Sequence, residues 1–266
     1  MIRKVRNKLI TNILSKVIAL KWLVFTIGLS KTIHIFIDLL RHKSDEYRIE
    51  FPFLEKNVVL DIVSSRTDLA MLTEVFCFQS YEIREQIDPR FIIDAGANKG
   101  LTTIYFSIKY PKAEIHCYEP NIELIPVLEK HIRINNVKAT VFNAAISDTT
   151  GLKSFEKSKN HQYSKLVEND TAIKINTISL NDRYMGRKID ILKMDIEGEE
   201  EKVICYLNFS VIDVRVIIQE IHYDRVNHNR IFSKLKENGY RFSGIYPQYY
   251  YLNPEVERPI LLAIKD

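Results

Sequence analysis

Five side chains with acid–base or ligand-binding chemistry, Asp94, Glu119, Asp195, Glu220 and His222, each lie at or near the end of a short run of apolar, β-favouring residues. Carboxylates and an imidazole brought together at strand ends can hold a ligand's hydroxyl or ammonium groups, draw a proton from an alcohol, or bind a divalent cation. Which of these applies depends on what surrounds each one.

Asp94-Ala95-Gly96-Ala97-Asn98-Lys99-Gly100 is a glycine-bearing turn between an apolar strand and a helical segment, the place where open α/β sheets bind nucleotides. Gly96 is expected to let backbone approach closely, Gly100 to let the helix pack near the strand, and the helix start to offer free amides and partial positive charge. A dinucleotide fingerprint needs glycine where Asn98 stands, and Asp94 would repel a pyrophosphate, so an NAD-dependent oxidoreductase fits poorly. A ligand with an ammonium for Asp94 and a carboxylate for the amides fits better, and S-adenosylmethionine carries both. Glu119, in Tyr118-Glu119-Pro120 and 25 positions beyond Asp94, is placed to accept from both ribose hydroxyls. Asn143 and Ala144 supply the edge near which adenine would lie. Asp94, Gly96, Asn98, Gly100, Glu119, Pro120, Asn143 and Ala144 are therefore the expected cofactor residues.

On the methyl-accepting side, Asp195 ends a fourth apolar run in Lys193-Met194-Asp195-Ile196-Glu197-Gly198. Glu220 and His222 are two residues apart on a fifth and so project to one side. An alcohol is a poor nucleophile near neutral pH, so Asp195, Glu220 and His222 are the expected catalytic set. They would act as a base relay, the favoured arrangement, or as a divalent-metal site of hard ligands. Glu199, Glu200 and Glu201 need do no more than complement the dipole at a helix start.

The elements that must position these groups alternate between strand and helix. Strands are expected at Phe91–Asp94, Glu114–Tyr118, Thr140–Ala145, Ile189–Asp195 and Val214–Ile221, with helices at Leu101–Tyr110, Glu123–Asn135, Gly198–Leu207 and Asn229–Asn238. Tyr240–Tyr246 and Pro259–Ile264, joined by the turn-rich 249–254, should close the sheet as an antiparallel hairpin. The expected fold is α/β: a Rossmann-like, mostly parallel twisted sheet with helices on both faces and a helical N-terminal extension.

Asp94 to Gly100, Tyr118-Glu119-Pro120, Ala145-Ile146-Ser147-Asp148, Lys193 to Glu200, Glu220-Ile221-His222 and the late Asn238-Gly239-Tyr240 with its hairpin together resemble, in order and spacing, the FkbM family of methyltransferases. The resemblance covers roughly 75 to 266. It implies a class I methyltransferase sheet and O-methylation, often of sugar hydroxyls in glycans or of polyketide-derived hydroxyls. Within it Glu200 matches the D-x-E-G-x-E pattern. A non-catalytic cofactor-binding or scaffold protein on the same fold is the alternative from another class.

The chain has 266 residues, enough for one large core with an appendage. Three domains are expected: a basic amphipathic helical arm at 1–43, a lead-in subdomain at 44–90 with a strand at 57–63 and a helix at 70–78, and the methyltransferase domain at 91–266. Of the net charge of +4, an excess sits early: nine lysines and arginines face only Asp38 before position 44. That asymmetry argues against a nucleic-acid groove on the catalytic domain, and the resemblance implies a small-molecule or glycan acceptor. Lys21 and Lys31 bracket an apolar stretch far too short to span a bilayer, and no secretory signal is legible. A cytoplasmic location is expected, with the arm touching an anionic membrane surface peripherally. The cysteines Cys77, Cys117 and Cys205 lack metal or disulfide spacing, and the latter two read as small buried hydrophobes.

Overall fold

Unbroken Ile, Val and Leu runs form strands buried on both faces, whereas alternating runs form strands with one wet face. Both kinds occur in the computed structural model, which describes residues 16–43, 45–156, 165–167, 173–222, 225–246 and 260–265. The chain divides into two compact units, residues 1–80 with 247–257 and residues 81–246 with 258–266. The sequence reading drew its boundaries at 43 and 90. The first 15 residues of the basic arm and the turn-rich 249–254 lie outside the described residues.

In the first unit, helix α1 (16–27) ends at Gly28, whose φ of 86° redirects the chain into α2 (Leu29–Leu40). The hairpin β1 (Glu46–Phe53) and β2 (Lys56–Val63) follows, turning through Leu54 at a φ of 51°. Ile49, Phe51 and Phe53 of β1 and Val58, Leu60 and Ile62 of β2 face inward, in keeping with a period of two. The sequence reading finds β2 and misses β1. Helix α3 (Arg66–Leu72) is capped by Ser65 Oγ, which accepts from Asp68 N at 3.0 Å, and it runs into a π-helical turn, Thr73–Cys77. There Thr73 Oγ1 donates to the carbonyls of Leu69 (2.8 Å) and Ala70 (3.0 Å), a side-chain bond that competes with the regular ladder. Edge-on contacts of Phe51 with Trp22 (5.6 Å) and Phe76 (5.1 Å) join α1, the hairpin and the π turn into one core.

The second unit is built on β3 (Phe91–Ala95), α4 (Leu101–Lys109), β4 (Glu114–Tyr118), α5 (Ile125–Ile134) and β5 (Ala139–Phe142). After β6 (Ala145–Ser147), β7 (Gly151–Glu156), β8 (Lys165–Val167), β9 (Ile173–Ser179) and α6 (Leu180–Tyr184) come β10 (Lys188–Met194), α7 (Glu200–Tyr206), β11 (Asp213–Glu220), α8 (His228–Glu237), β12 (Arg241–Tyr246) and β13 (Ile260–Ile264). The main sheet has the order β12-β13-β11-β10-β3-β4-β5. Its members β3, β4, β5, β10 and β11 run parallel, while β13 is antiparallel to both β11 and β12. This is the class I methyltransferase sheet expected, with its terminal hairpin. One strand expectation needs correction. Thr140–Ala145 is not a single strand: the chain bends at Asn143-Ala144, and β6 leaves the main sheet for a second one of order β6-β9-β7-β8.

The core on one face of the main sheet packs Ile93, Leu192, Met194, Ile217 and Ile221 with Val203 and Ile204 of α7 and Ile231 and Leu235 of α8. Asp190 pins β10 to the start of β3, its Oδ2 accepting from Arg90 N (2.7 Å) and Phe91 N (3.1 Å). Strand order reverses between β3 and β10, and a crevice outside the carboxyl ends of such strands is where this architecture takes ligands. Among the described residues no helix is long and apolar enough to cross a membrane. The cysteines are free thiols; Cys117 is buried as expected, but Cys205 is only half-buried.

Candidate active site

A backbone oxygen requires the first glycine of the turn after β3, and a left-handed φ favours the second. A Cβ on Gly96 (φ 77°) would lie 1.9 Å from the Asp195 carbonyl oxygen, and one on Gly100 (φ 85°) would lie 2.6 Å from Leu128 Cδ1. The close approach at Gly96 is thus to the loop after β10, and Gly100 makes room for α5 rather than for a strand. Asn98, at a φ of 50°, occupies the left-handed region that asparagine tolerates better than most residues. Gly96 N and Ala97 N donate to Tyr118 O at 2.9 and 3.0 Å, and Asn98 N donates to Glu119 Oε2 at 2.8 Å. A ligand carboxylate is left with the amides of the first turn of α4.

Asp94 is fully buried and turned inward. Its Oδ2 accepts from Thr102 Oγ1 and Thr103 Oγ1, both at 2.7 Å, and its Oδ1 lies 3.0 Å from Lys193 Nζ. A cation of the chain itself thus stands directly against Asp94. Lys193, on β10, also donates to Gly96 O at 2.8 Å. Burial works against its charge, and Asp94, aided by Asp195 and Glu220, outweighs burial and raises the ammonium pKa. Asp94 and Lys193 together tie the turn to β10.

Glu119, at the end of β4, accepts from two backbone amides, Asn98 N through Oε2 and Asn121 N through Oε1, each at 2.8 Å. Burial raises its pKa to about 7 against the opposing pull of the Asn121 and Asn98 amides. Beside it, exposed Asn143 donates from Nδ2 to the carbonyls of Glu119 (2.9 Å) and Pro120 (3.1 Å), while Ala144 is buried. Asn143 thus meets the backbone of Glu119 and Pro120.

The second half of the site converges on His222, which is fully buried just past the end of β11. Its Nδ1 lies 2.9 Å from Glu200 Oε1, and its Nε2 lies 3.3 Å from Glu197 Oε2, 3.9 Å from Asp195 Oδ1 and 4.0 Å from Glu220 Oε2. Ligand atoms of Asp195, Glu220 and His222 all fall within 4.8 Å of one another, so the three residues predicted as the catalytic set are brought together. Burial alone would lower the His222 pKa, but Glu200, Glu197 and Glu220 outweigh it and push it up to about 11.

The three successive glutamates have three different tasks, which helix-dipole reasoning did not separate. Ser147 Oγ (2.6 Å) and Lys202 Nζ (2.7 Å) meet Glu199. Glu200, fully buried, accepts from Ile196 N (3.1 Å) and Gly198 N (2.9 Å), fixing the loop that carries Asp195. Glu201 accepts from Asn227 N at 2.7 Å and pairs with Arg230 at 2.6 Å. Sequence reasoning also assigned no role to Lys193, Glu197 or Arg225. Glu197, at a φ of 55°, pairs with the Arg225 guanidinium, which also donates to the Glu197 carbonyl at 3.1 Å. The available signal was the motif itself: Lys193, Glu197 and Glu200 all lie within the Lys193–Glu200 stretch.

The family model described as Methyltransferase FkbM domain matches residues 94–242, which include both halves of the site. Among curated proteins the chain is similar to Methyltransferase 1 of Beauveria bassiana (strain ARSEF 2860), 24% identical over 159 residues, covering 49% of this chain and 64% of the relative. It is also similar to Methyltransferase sdnD of Sordaria araneosa, 27% identical over 169 residues, covering 49% and 65% respectively. The chain thus spans less than two thirds of either relative's length. Among solved structures it is similar to P. horikoshii TYW2 in complex with MeSAdo, at 12% identity and a TM-score of 0.49, covering 89% of this chain and 83% of that one.

Proposed function

The chain belongs to the FkbM methyltransferase family, and from that premise we propose that it transfers the methyl group of S-adenosylmethionine to a hydroxyl of a sugar or glycan intermediate. The observation that carries this reading is the pairing, across the β3–β10 switch point, of a turn with a buried ribose-type carboxylate (Glu119) and a strand-end cluster of Asp195, Glu220 and His222. The glycan class of the acceptor rests on the family resemblance.

In this reading the ribose hydroxyls donate to Glu119 between the Asn98 and Asn121 amides, adenine lies along the Asn143–Ala144 edge, and the first turn of α4 receives the methionine carboxylate. The sulfonium methyl then faces the end of β10. The acceptor oxygen attacks it in line, the carbon–sulfur bond breaks onto sulfur to leave S-adenosylhomocysteine, and the hydroxyl proton is released on the Asp195 side, the more exposed edge of the cluster. The test is incubation of the purified protein with labelled S-adenosylmethionine and a panel of glycan and polyketide alcohols. Label in a sugar methyl ether supports the full reading. Label in another alcohol overturns the acceptor class, and thermal stabilisation by NAD with none by S-adenosylhomocysteine overturns the cofactor.

A peripheral membrane contact belongs to the same proposal. In α2 the large apolar residues Leu29, Ile33, Phe36 and Leu40 are exposed along one stripe, whereas the buried face carries Thr32, Ile35 and Asp38. With Lys16, Lys21, Lys31, Arg41 and Lys43 nearby in sequence, that stripe suits an anionic bilayer surface. Equal sedimentation with neutral and anionic vesicles overturns this.

A further inference from the structure

We propose that Asp195, Glu220 and His222 form a divalent-cation site of the manganese–magnesium class, with Glu200 as the outer carboxylate that orients the imidazole. Its catalytic use rests on the methyltransferase reading, but its existence does not.

Two independent observations point to a cation. The first is charge. Asp195, Glu197, Glu200 and Glu220 all lie within 4.0 Å of the His222 ring; Arg225 pairs with Glu197, two backbone amides donate to Glu200, and the charge of Lys193 is shared among Asp94, Asp195 and Glu220, so carboxylates outnumber these two cations. Gathering carboxylates out of water is costly unless a cation joins them. The second is the imidazole. His222 is fully buried, yet neither ring nitrogen meets a neighbouring oxygen in a hydrogen-bonding direction. Nε2 faces Glu197 at 3.3 Å, itself held by Arg225, with Asp195 and Glu220 beyond it, while Nδ1 is turned to Glu200. A metal-bound histidine has this arrangement: one nitrogen faces the ion and the other a carboxylate that sets the tautomer.

The dimensions fit. Nε2 lies 3.9 Å from Asp195 Oδ1 and 4.0 Å from Glu220 Oε2. Two ligands each about 2.1 Å from one ion can be separated by up to about 4.2 Å, so small rotations of the two carboxylates complete the shell. The oxygen-rich set suits magnesium or manganese, and the imidazole shifts the preference to manganese. Glu220 and His222 are buried, whereas the Asp195 side chain retains 29% of its exposure, which provides an entry path and open positions for water or an acceptor hydroxyl. Bound there, the cation supplies Lewis-acid polarisation of that hydroxyl.

The test is titration of the full chain with Mn²⁺, read by loss of the free-ion electron paramagnetic resonance signal, with no cofactor or acceptor present. The proposal expects one tight Mn²⁺ per chain, at least tenfold weaker binding in Asp195→Asn and His222→Ala, and about 10- to 100-fold weaker binding in Glu200→Gln. Asp195→Asn is the key variant, because its partly exposed site tolerates the change. Retained S-adenosylhomocysteine binding shows that each variant is folded. No bound Mn²⁺ at millimolar concentration, or equal binding by folded wild type and Asp195→Asn, overturns the site. Mn²⁺ binding that depends on these residues, in a protein that transfers no methyl group, upholds the site and overturns only the methyltransferase reading.

Discussion

The two sides of the crevice differ in how their charges are matched. On the β3–β4 side, polar groups are matched within the chain: Asp94 with Lys193, Thr102 and Thr103, and Glu119 with two backbone amides. On the β10–β11 side, carboxylates converge on a single imidazole whose nitrogens find no well-directed hydrogen bond. The first arrangement spreads its charge over fixed neighbours, while the second gathers four carboxylates around one buried imidazole. Substitutions on the two sides should therefore fail in different ways.

The largest effect is expected on the reaction side. Asp195→Asn and His222→Ala should each lower turnover by about 10²- to 10⁴-fold, with S-adenosylhomocysteine affinity held within about twofold as read by calorimetry. Full turnover in both variants would leave proximity as the only catalyst and remove the contrast. On the binding side, Glu119→Ala loses a buried acceptor for two ribose hydroxyls, so affinity should fall about 100-fold and the thermal shift with S-adenosylhomocysteine should vanish. Asp94→Ala should also abolish the shift, but with a separate signature. It leaves Lys193 buried without its carboxylate, which costs about 3–5 kcal/mol of stability and lowers the melting temperature of the unliganded protein. A melting point equal to wild type would show that Asp94 does not hold the turn.

The smallest effect is a pH dependence confined to the binding side. Glu119 has a folded-state pKa near 7, above the usual carboxylate value because it is buried. The ribose hydroxyls need its ionised form, so S-adenosylhomocysteine affinity should rise by about tenfold between pH 6 and pH 8. The same raised pKa means that Glu119's own contribution to folding is fully present below its unfolded pKa and is lost as pH rises through about 7. Glu119→Gln should flatten the affinity profile. An identical slope in that variant assigns the dependence to another group.

Much of this contrast was legible in the sequence, because the side chains that define it close strands and strands are readable from apolar runs. Asp94, Glu119, Asp195, Glu220 and His222 were found that way, and the parallel character of the sheet followed from alternation with helices. Lys193 was not, although it stands beside Asp195, because its partner Asp94 is 99 positions away and spacing carries no information about such pairs. Glu200 stood apart only through the D-x-E-G-x-E pattern of the family resemblance, because by spacing alone three adjacent glutamates look equivalent until the helix turns one of them onto His222. The second sheet was hidden for a different reason: Phe142 to Ile146 stays apolar apart from Asn143, so the bend that sends β6 out of the main sheet leaves no gap in hydropathy.

The junction of β3 with β10 also bears on how the molecule folds. The strands β3, β4 and β5 can assemble from near neighbours in the chain, and so can β10 and β11. Joining the two groups requires Asp190 to reach the amides of Arg90 and Phe91 across about 100 residues of intervening chain, a closure that is entropically costly and slow. The crevice lies along that seam, so it does not exist until that long-range pairing is made. A cofactor bound there acts as a clamp on a finished fold, slowing unfolding rather than speeding assembly, and resistance to proteolysis in its presence measures how firmly the seam is held.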